Sequence, residues 1–365
     1  MSFSRTSGRM SPTQTPDLFL QPSGRSVMKH LRIIVLFLAG SALPVAFSMA
    51  EVLQSAEKSG SLWAVRDGAE TRFGLVEGGE IQVELPSGAT IRDLEPTADG
   101  WLAAGHLPST GGTELLLIEG SKDGAELLPV PERTSGRYRG QPVILLEDQK
   151  LVGLAWAEGN GPRGFEIWAS VWRDGEWGGS ELVSPKGPGS QVAPVGAVLE
   201  DGSWLLVWTA FDGNDDEIMA SRRIGGHWTQ PRPIHSVNEV FDHSPDVVAV
   251  EGGALVVWSW YDGNDYRMKS ARWLDGHWQE GEVFGGKGSS DPGLTRSGDS
   301  ILLLYQSVVP ASWTVMELDR AGVPVRAAAV PEGTNDRPML LVEESGDHRL
   351  RWPTGEHVLE WQGLP

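Results

Sequence analysis

The stretch ALVVWSWYDGNDYRMKSARWLDGHW, residues 254–278, decides the fold because it occurs twice more upstream in weaker form. Its counterparts are WLLVWTAFDGNDDEIMASRRIGGHW at 204–228 and LVGLAWAEGNGPRGFEIWASVWRDGEW at 151–177. Trp156, Trp208 and Trp258 follow one another at intervals of 52 and 50 residues. Trp177, Trp228 and Trp278 follow at 51 and 50. Two tryptophan series running in phase define an internal repeat of about fifty residues. Within it, apolar and β-branched runs of about 6–8 residues are bounded by Gly, Asp and Asn turn signals. In one copy the runs are 193–199, 204–210, 217–223 and a last segment from Trp228 onward. No window carries a 3.6-residue apolar period, so helices are not expected.

Four antiparallel strands repeated at this spacing predict an all-β fold, a β-propeller of four-stranded blades. One twisted blade cannot bury both its faces, so blades must stack around an axis. The recurring indoles are the expected inter-blade packing, since each buries about 150–250 Å². Weaker units lie at 88–131 and 289–330, with further strands at 61–85 and 336–362. This reads as six blades, the last closed jointly by N- and C-terminal strands, with seven as the alternative. A single propeller domain is expected over 51–365.

Composition agrees. The 365 residues include 46 Gly and 24 Pro, too many helix breakers for a bundle or coiled coil. All sixteen Trp lie after residue 60. Cysteine is absent, which excludes disulfides and thiolate chemistry. Residues 1–27 read as a non-structural extension. Residues 28–50 read as a secretory signal: Met28-Lys29-His30-Leu31-Arg32, an apolar run from Ile33 to Phe47, and cleavage after Ala50. Gly40 and Pro44 interrupt the run, which is too short for a span, so no integral membrane span is expected after cleavage. Beyond residue 50 the chain holds 25 basic and 48 acidic residues, a net charge of −23. That balance argues against a nucleic-acid partner. The expected location is the periplasm or the medium, the expected state a monomer, and the expected partner a glycan or an envelope protein.

The segment from Pro245 to Trp278 resembles the sialidase-type propeller repeats, also called BNR-like repeats. The resemblance recurs less faithfully from Pro194 to Trp228 and from Pro142 to Trp177. The family's Asp box reads Ser-x-Asp-x-Gly-x-Thr-Trp. Here the corresponding turns are Arg173-Asp174-Gly175-Glu176-Trp177, Ile224-Gly225-Gly226-His227-Trp228 and Leu274-Asp275-Gly276-His277-Trp278. Active sialidases carry an Arg-Ile-Pro motif; Tyr138-Arg139-Gly140-Gln141-Pro142 is a poor counterpart. The resemblance therefore implies the fold and no catalytic residues. Fucose-lectin-like propellers, with Trp-rich blades of similar length, are a competing resemblance.

Three groups of residues could carry chemistry. The loops FDGND (211–215) and YDGND (261–265) present oxygens at alternate positions, as calcium loops do. The EF-hand template fails at Glu217 and Arg223, and Tyr266 replaces a ligand in the second copy, so the loops read as tight hairpins. His227 and His277 fall in hairpins at the opposite end and read as exposed turn residues. No metal-ligand set and no cofactor motif emerges.

Aligning the innermost strands brings Arg92 (or Asp93), Arg139, Gln191, Asp242, His243, Asp291 and Arg337 to the mouth of the central channel. Arg92, Arg139, Gln191 and Arg337 are the ligand-binding candidates, arginine being suited to carboxylate recognition. Asp242, His243 and Asp291 are the acid–base candidates, and a ring of ion pairs solvating the mouth is the competing account. The expected function is an exported, non-catalytic ligand-binding or protein-interaction propeller. A divergent glycoside hydrolase or lyase using the mouth residues is the alternative.

Overall fold

The structure is a computed structural model. It describes residues 52–54, 62–67, 70–75, 79–81, 83 and 85–359, apart from 122–123, 135, 161–163, 186–188, 212, 298–299, 309–310, 331–337, 343–347 and 353–354. The expected extension and signal, and Arg337, lie outside the described residues. Those that are described belong to one compact unit, Ala42–Pro365. Among them, no helix is long and apolar enough to cross a membrane.

The chain is all-β, and its strands form antiparallel meanders in sequence order. Its architecture is a β-propeller. The first strands of successive sheets pack side by side, beginning with Val52–Gln54 against Thr90–Pro96 and running on through Tyr138–Glu147, Ser190–Val198, Asp242–Val250 and Ser289–Ser297. Val52–Gln54 also packs against Met339–Val342, at the other end of the chain.

The described residues form seven sheets, and the strands at the two chain ends do not pair with one another in a shared sheet. The first four strands, Val52–Gln54 to Gly79–Ile81, pair only with one another. The last three, Met339–Val342, His348–Trp352 and Gly355–Leu359, do likewise. Hairpin connections of a few residues make this local pairing the shorter route at each end.

Packing explains why the second strands read as unbroken apolar runs. Along Trp204–Phe211, Leu206 and Trp208 pack on the preceding sheet against Val143, Leu145, Ala155 and Ile167. Leu205 and Val207 face the other way, onto Ala254, Val256 and Trp258 of the following sheet. Both faces of the strand are buried, so period-two alternation disappears. Trp156 and Trp258 repeat the role of Trp208, each filling the gap toward the sheet before its own. The second series, Trp177, Trp228 and Trp278, is half-buried and packs on Trp172, Trp204 and Trp273 at ring separations of 4.8, 6.3 and 5.3 Å, tilted in the first pair and edgewise in the other two. Gly153 is small because it must be: a Cβ there would lie 2.3 Å from Trp204 of the next sheet.

Near the axis the inner strands share a defect. Gln141, Ala193, Ser244 and Asp291 have φ of 50–53°, and each is followed by proline. Each sits where the register with the second strand breaks. These are β-bulges, where an unpaired residue is tolerated and a proline without N–H leaves no ladder bond unmade. Side chains beside them tie neighbouring sheets. Gln141 Oε1 accepts the Ala193 amide at 2.9 Å, Asp93 Oδ2 the Ile144 amide at 2.6 Å, and Asp246 Oδ2 the Leu294 amide at 2.6 Å.

Two outcomes test this account. Trp208→Ala should lower unfolding stability by about 3–5 kcal/mol in denaturant titrations, the range for a fully buried large side chain; a loss below about 1 kcal/mol would mean the indoles do not wedge the sheets. The second concerns Asp93, whose carboxyl burial pushes up to about 6 against its two amide hydrogen bonds, with Asp246 adding to the rise. The folded state then holds more protons than the unfolded chain across this window. Stability is fullest below the ordinary value of 3.8 and is lost as pH rises through about 6. Measured against Asp93→Asn, the wild-type protein should lose about 2 kcal/mol between those limits; a pH-independent difference would refute the buried carboxyl.

Candidate functional site

The inner strands begin at one end of the propeller, together with the loops joining second to third strands. Register makes Arg139, Gln191 and Asp242 equivalent: each pairs with the residue two beyond a fully buried tryptophan, namely Glu158, Ala210 and Trp260. An indole buried between sheets needs an acceptor for its N–H. Gln191 Oε1 accepts from Trp208 Nε1 at 2.7 Å, and Asp242 Oδ1 from Trp258 Nε1 at 2.6 Å. In the third sheet the acceptor comes from the paired position instead. Glu158 Oε2 accepts from Trp156 Nε1 at 3.0 Å, while Arg139 lies over the Trp156 ring at 4.8 Å with Nε 3.3 Å from Glu158.

This geometry gives each carboxyl its character. Burial alone pushes the Glu158 carboxyl up, but hydrogen bonds from Thr134, Trp156 and the Gly136 amide, with Arg139 beside it, hold it below its ordinary value. Burial lowers the Arg139 guanidinium from its ordinary value, opposed by Glu158 and Glu114. Burial raises Asp242, only partly offset by the hydrogen bond from Asn238, by His235 and by the Trp258 bond. Arg139, Gln191 and Asp242 therefore lie at corresponding positions as expected, yet their side chains are buried and serve the indoles.

Arg92 and Asp291 lie instead in the bulges further along their strands. The sequence alignment merged these two rings of positions because a bulge inserts one residue without leaving a gap in the repeat. Arg92 is half-buried and Asp291 exposed.

One group on this face is both accessible and chemically varied. His243 is half-buried, its Nδ1 2.9 Å from Ser244 Oγ and its ring 4.8 Å from Tyr266 in an edge-on contact. Tyr266 pairs in register with Tyr261, their rings 5.2 Å apart. Burial lowers the His243 imidazole, with Asp291 of the next sheet pulling it back up. Burial raises the Tyr266 phenol, helped by Asp216, Tyr261 and Asp242. The patch thus gathers an imidazole, two phenols and a carboxyl group. His243 and Asp291 were legible in the sequence. Tyr261 and Tyr266 were not, although Tyr266 stood out as the residue breaking the calcium pattern.

Behind this patch Glu217, His235 and Asp242 converge, all buried, with His235 Nε2 3.3 Å from Glu217 Oε2 and 3.7 Å from Asp242 Oδ2. The loop carboxylate of Asp262 instead accepts the amides of Asn264 and Asp265, both at 2.8 Å. These bonds, that from Asp265 foremost, hold it below its ordinary value, which is the chemistry of a tight turn. Asp212, its counterpart in the first copy, lies outside the described residues. His227 and His277 are exposed in hairpins at the opposite end. A cleft of about 240 Å³ there is lined by Glu200, Glu251, Arg296 and Arg320; Arg320 bonds Glu251, and Glu200 accepts the Gly252 amide.

No protein-family model matches this sequence, and no curated protein matches it. Solved structures do. A Dyadobacter fermentans protein of unknown function is 16% identical, with a TM-score of 0.50 over 85% of this chain and 92% of that one. A polysaccharide lyase, an ulvan lyase bound to a GlcA(1-4)Rha3S saccharide, is 9% identical, with a TM-score of 0.56 over 79% and 84%. The Trypanosoma rangeli sialidase in complex with the inhibitor DANA is 11% identical, with a TM-score of 0.51; it matches 85% of this chain, which spans 57% of the sialidase. At these identities the likeness is one of fold, a β-propeller.

Proposed function

We propose that the protein is an exported saccharide-binding propeller whose ligand docks on Tyr261, Tyr266, His243 and Asp291. The observation that carries this reading is the contact of two half-buried phenols and an imidazole beside an exposed carboxyl group of the next sheet. Flat aromatic faces suit the C–H faces of sugar rings, and the polar tips and carboxylate suit their hydroxyls. The net charge of −23 beyond residue 50 favours an uncharged saccharide over a sulphated or uronic one. Propellers of the same fold that take saccharides or their analogues lend support.

The test is calorimetric titration of the purified chain with a panel of neutral and acidic oligosaccharides. A neutral oligosaccharide should bind, and Tyr266→Ala or Asp291→Ala should weaken it about tenfold or more, the loss of about 1.4 kcal/mol of contact. Absence of saccharide binding, with capture of an envelope protein at this face, would replace this reading with the protein-interaction one.

Catalysis is the second reading, favoured by the edge-on ring contact of His243 with Tyr266, two side chains able to exchange protons with a substrate. It calls for turnover of an oligosaccharide, by hydrolysis or by elimination to an unsaturated product. Tyr266→Phe would abolish that turnover with little change in binding; no turnover across the panel sets catalysis aside.

A further inference from the structure

We propose that Glu217, His235 and Asp242 form a buried site for one divalent transition ion of the zinc class, clamping the fourth and fifth sheets together. The proposal is independent of the saccharide reading. Glu217 belongs to the third strand of one sheet, Asp216–Ile224, and Asp242 opens the inner strand of the next, Asp242–Val250. His235 sits in the connection between them. Its side chain has no solvent exposure.

The tautomer of His235 carries the argument. Nδ1 lies 3.0 Å from the Ser236 carbonyl, which can only accept, so Nδ1 bears the proton. In a neutral ring Nε2 then presents its lone pair, and it is aimed at two carboxylate oxygens. Nε2 itself makes no hydrogen bond among the described residues. A lone pair facing two carboxyl groups in a buried site is repulsive unless a proton or a metal ion lies between them. A second proton on the ring, shared between the two flanking oxygens, is one such positive charge; a metal ion is the other. A metal ion satisfies all three donors.

The spacing fits. With bonds of about 2.0–2.2 Å, neighbouring donors around a tetrahedral zinc ion lie about 3.3–3.6 Å apart. Here the two separations are 3.3 and 3.7 Å, and all three donor atoms lie within 4.8 Å of one another. One imidazole with two carboxylates suits zinc and its neighbours, whereas calcium takes about 6–8 oxygens. The surrounding hydrogen bonds orient each ligand, as outer partners do in metal sites. The Asn238 amide donates to Glu217 Oε1 at 3.0 Å, and Asn238 Nδ2 to Asp242 Oδ2 at 2.9 Å. The Trp258 indole holds Asp242 Oδ1, and its ring stacks on His235 at 5.1 Å. In a cysteine-free chain such an ion would supply the cross-link that a disulfide provides elsewhere.

The experiment uses the full chain, stripped with a chelator and dialysed against zinc, with cobalt as the spectroscopic probe. Expected results are one equivalent of zinc retained per chain, visible bands from bound cobalt, and a rise in melting temperature on adding either ion. Glu217→Gln and Asp242→Asn preserve volume, and Asp242→Asn keeps an oxygen for the Trp258 indole. Each should lose stoichiometric retention and the melting shift, weakening binding by more than the about 10–100-fold typical of losing an outer partner. Wild-type protein that retains no zinc overturns the proposal, whether or not the variants fold. So does retention that survives both substitutions in folded variants, which would place the ion elsewhere.

Discussion

The structure depends on burying an indole between neighbouring sheets while giving its N–H an acceptor. Trp156, Trp208 and Trp258 are fully buried, and each donates to an oxygen at one of two register-paired positions. The acceptor is an amide in one sheet and a carboxylate in the other two. An unpaired buried N–H costs about 1–3 kcal/mol, so the position constrains chemistry as well as shape. That requirement drew Gln191 and Asp242 out of the mouth and into the inter-sheet core.

A second constraint follows from the first. The carboxylates near the axis are structural ties as much as they are surface charge. Asp93 and Asp246 hold amides of the next sheet, and Glu158 gathers an indole, an amide, a hydroxyl and a guanidinium. Glu217 and Asp242 converge on His235 at the joint between two sheets. Part of the high acidic content is thus internal wiring, which a net charge alone cannot reveal.

Fold likeness at this level leaves function to the site, since one architecture hosts many activities. The patch of His243, Tyr261 and Tyr266 with Asp291 is accessible, whereas Arg139 is enclosed by its partners. Of the arginines expected there, Arg139 is buried, Arg92 is half-buried and Arg337 lies outside the described residues.

Sequence by itself determined the repeat, the strand count within a repeat, the all-β class and the indole wedges. All of these are local patterns or periodicities, and they repeat in phase from Trp156 to Trp278. It also placed Asp242, His243 and Asp291 at one end of the inner strands. Tertiary structure alone decided the pairing at the chain ends, because strands that can join either neighbour carry no mark of their choice. It also decided which mouth residues face inward, since the bulges at Gln141, Ala193, Ser244 and Asp291 shift the side-chain phase without altering the repeat length. The meeting of Glu217, His235 and Asp242 was invisible for the same reason: they lie 18 and 7 residues apart in sequence, at no recognised ligand spacing, and only the docking of two sheets brings them together.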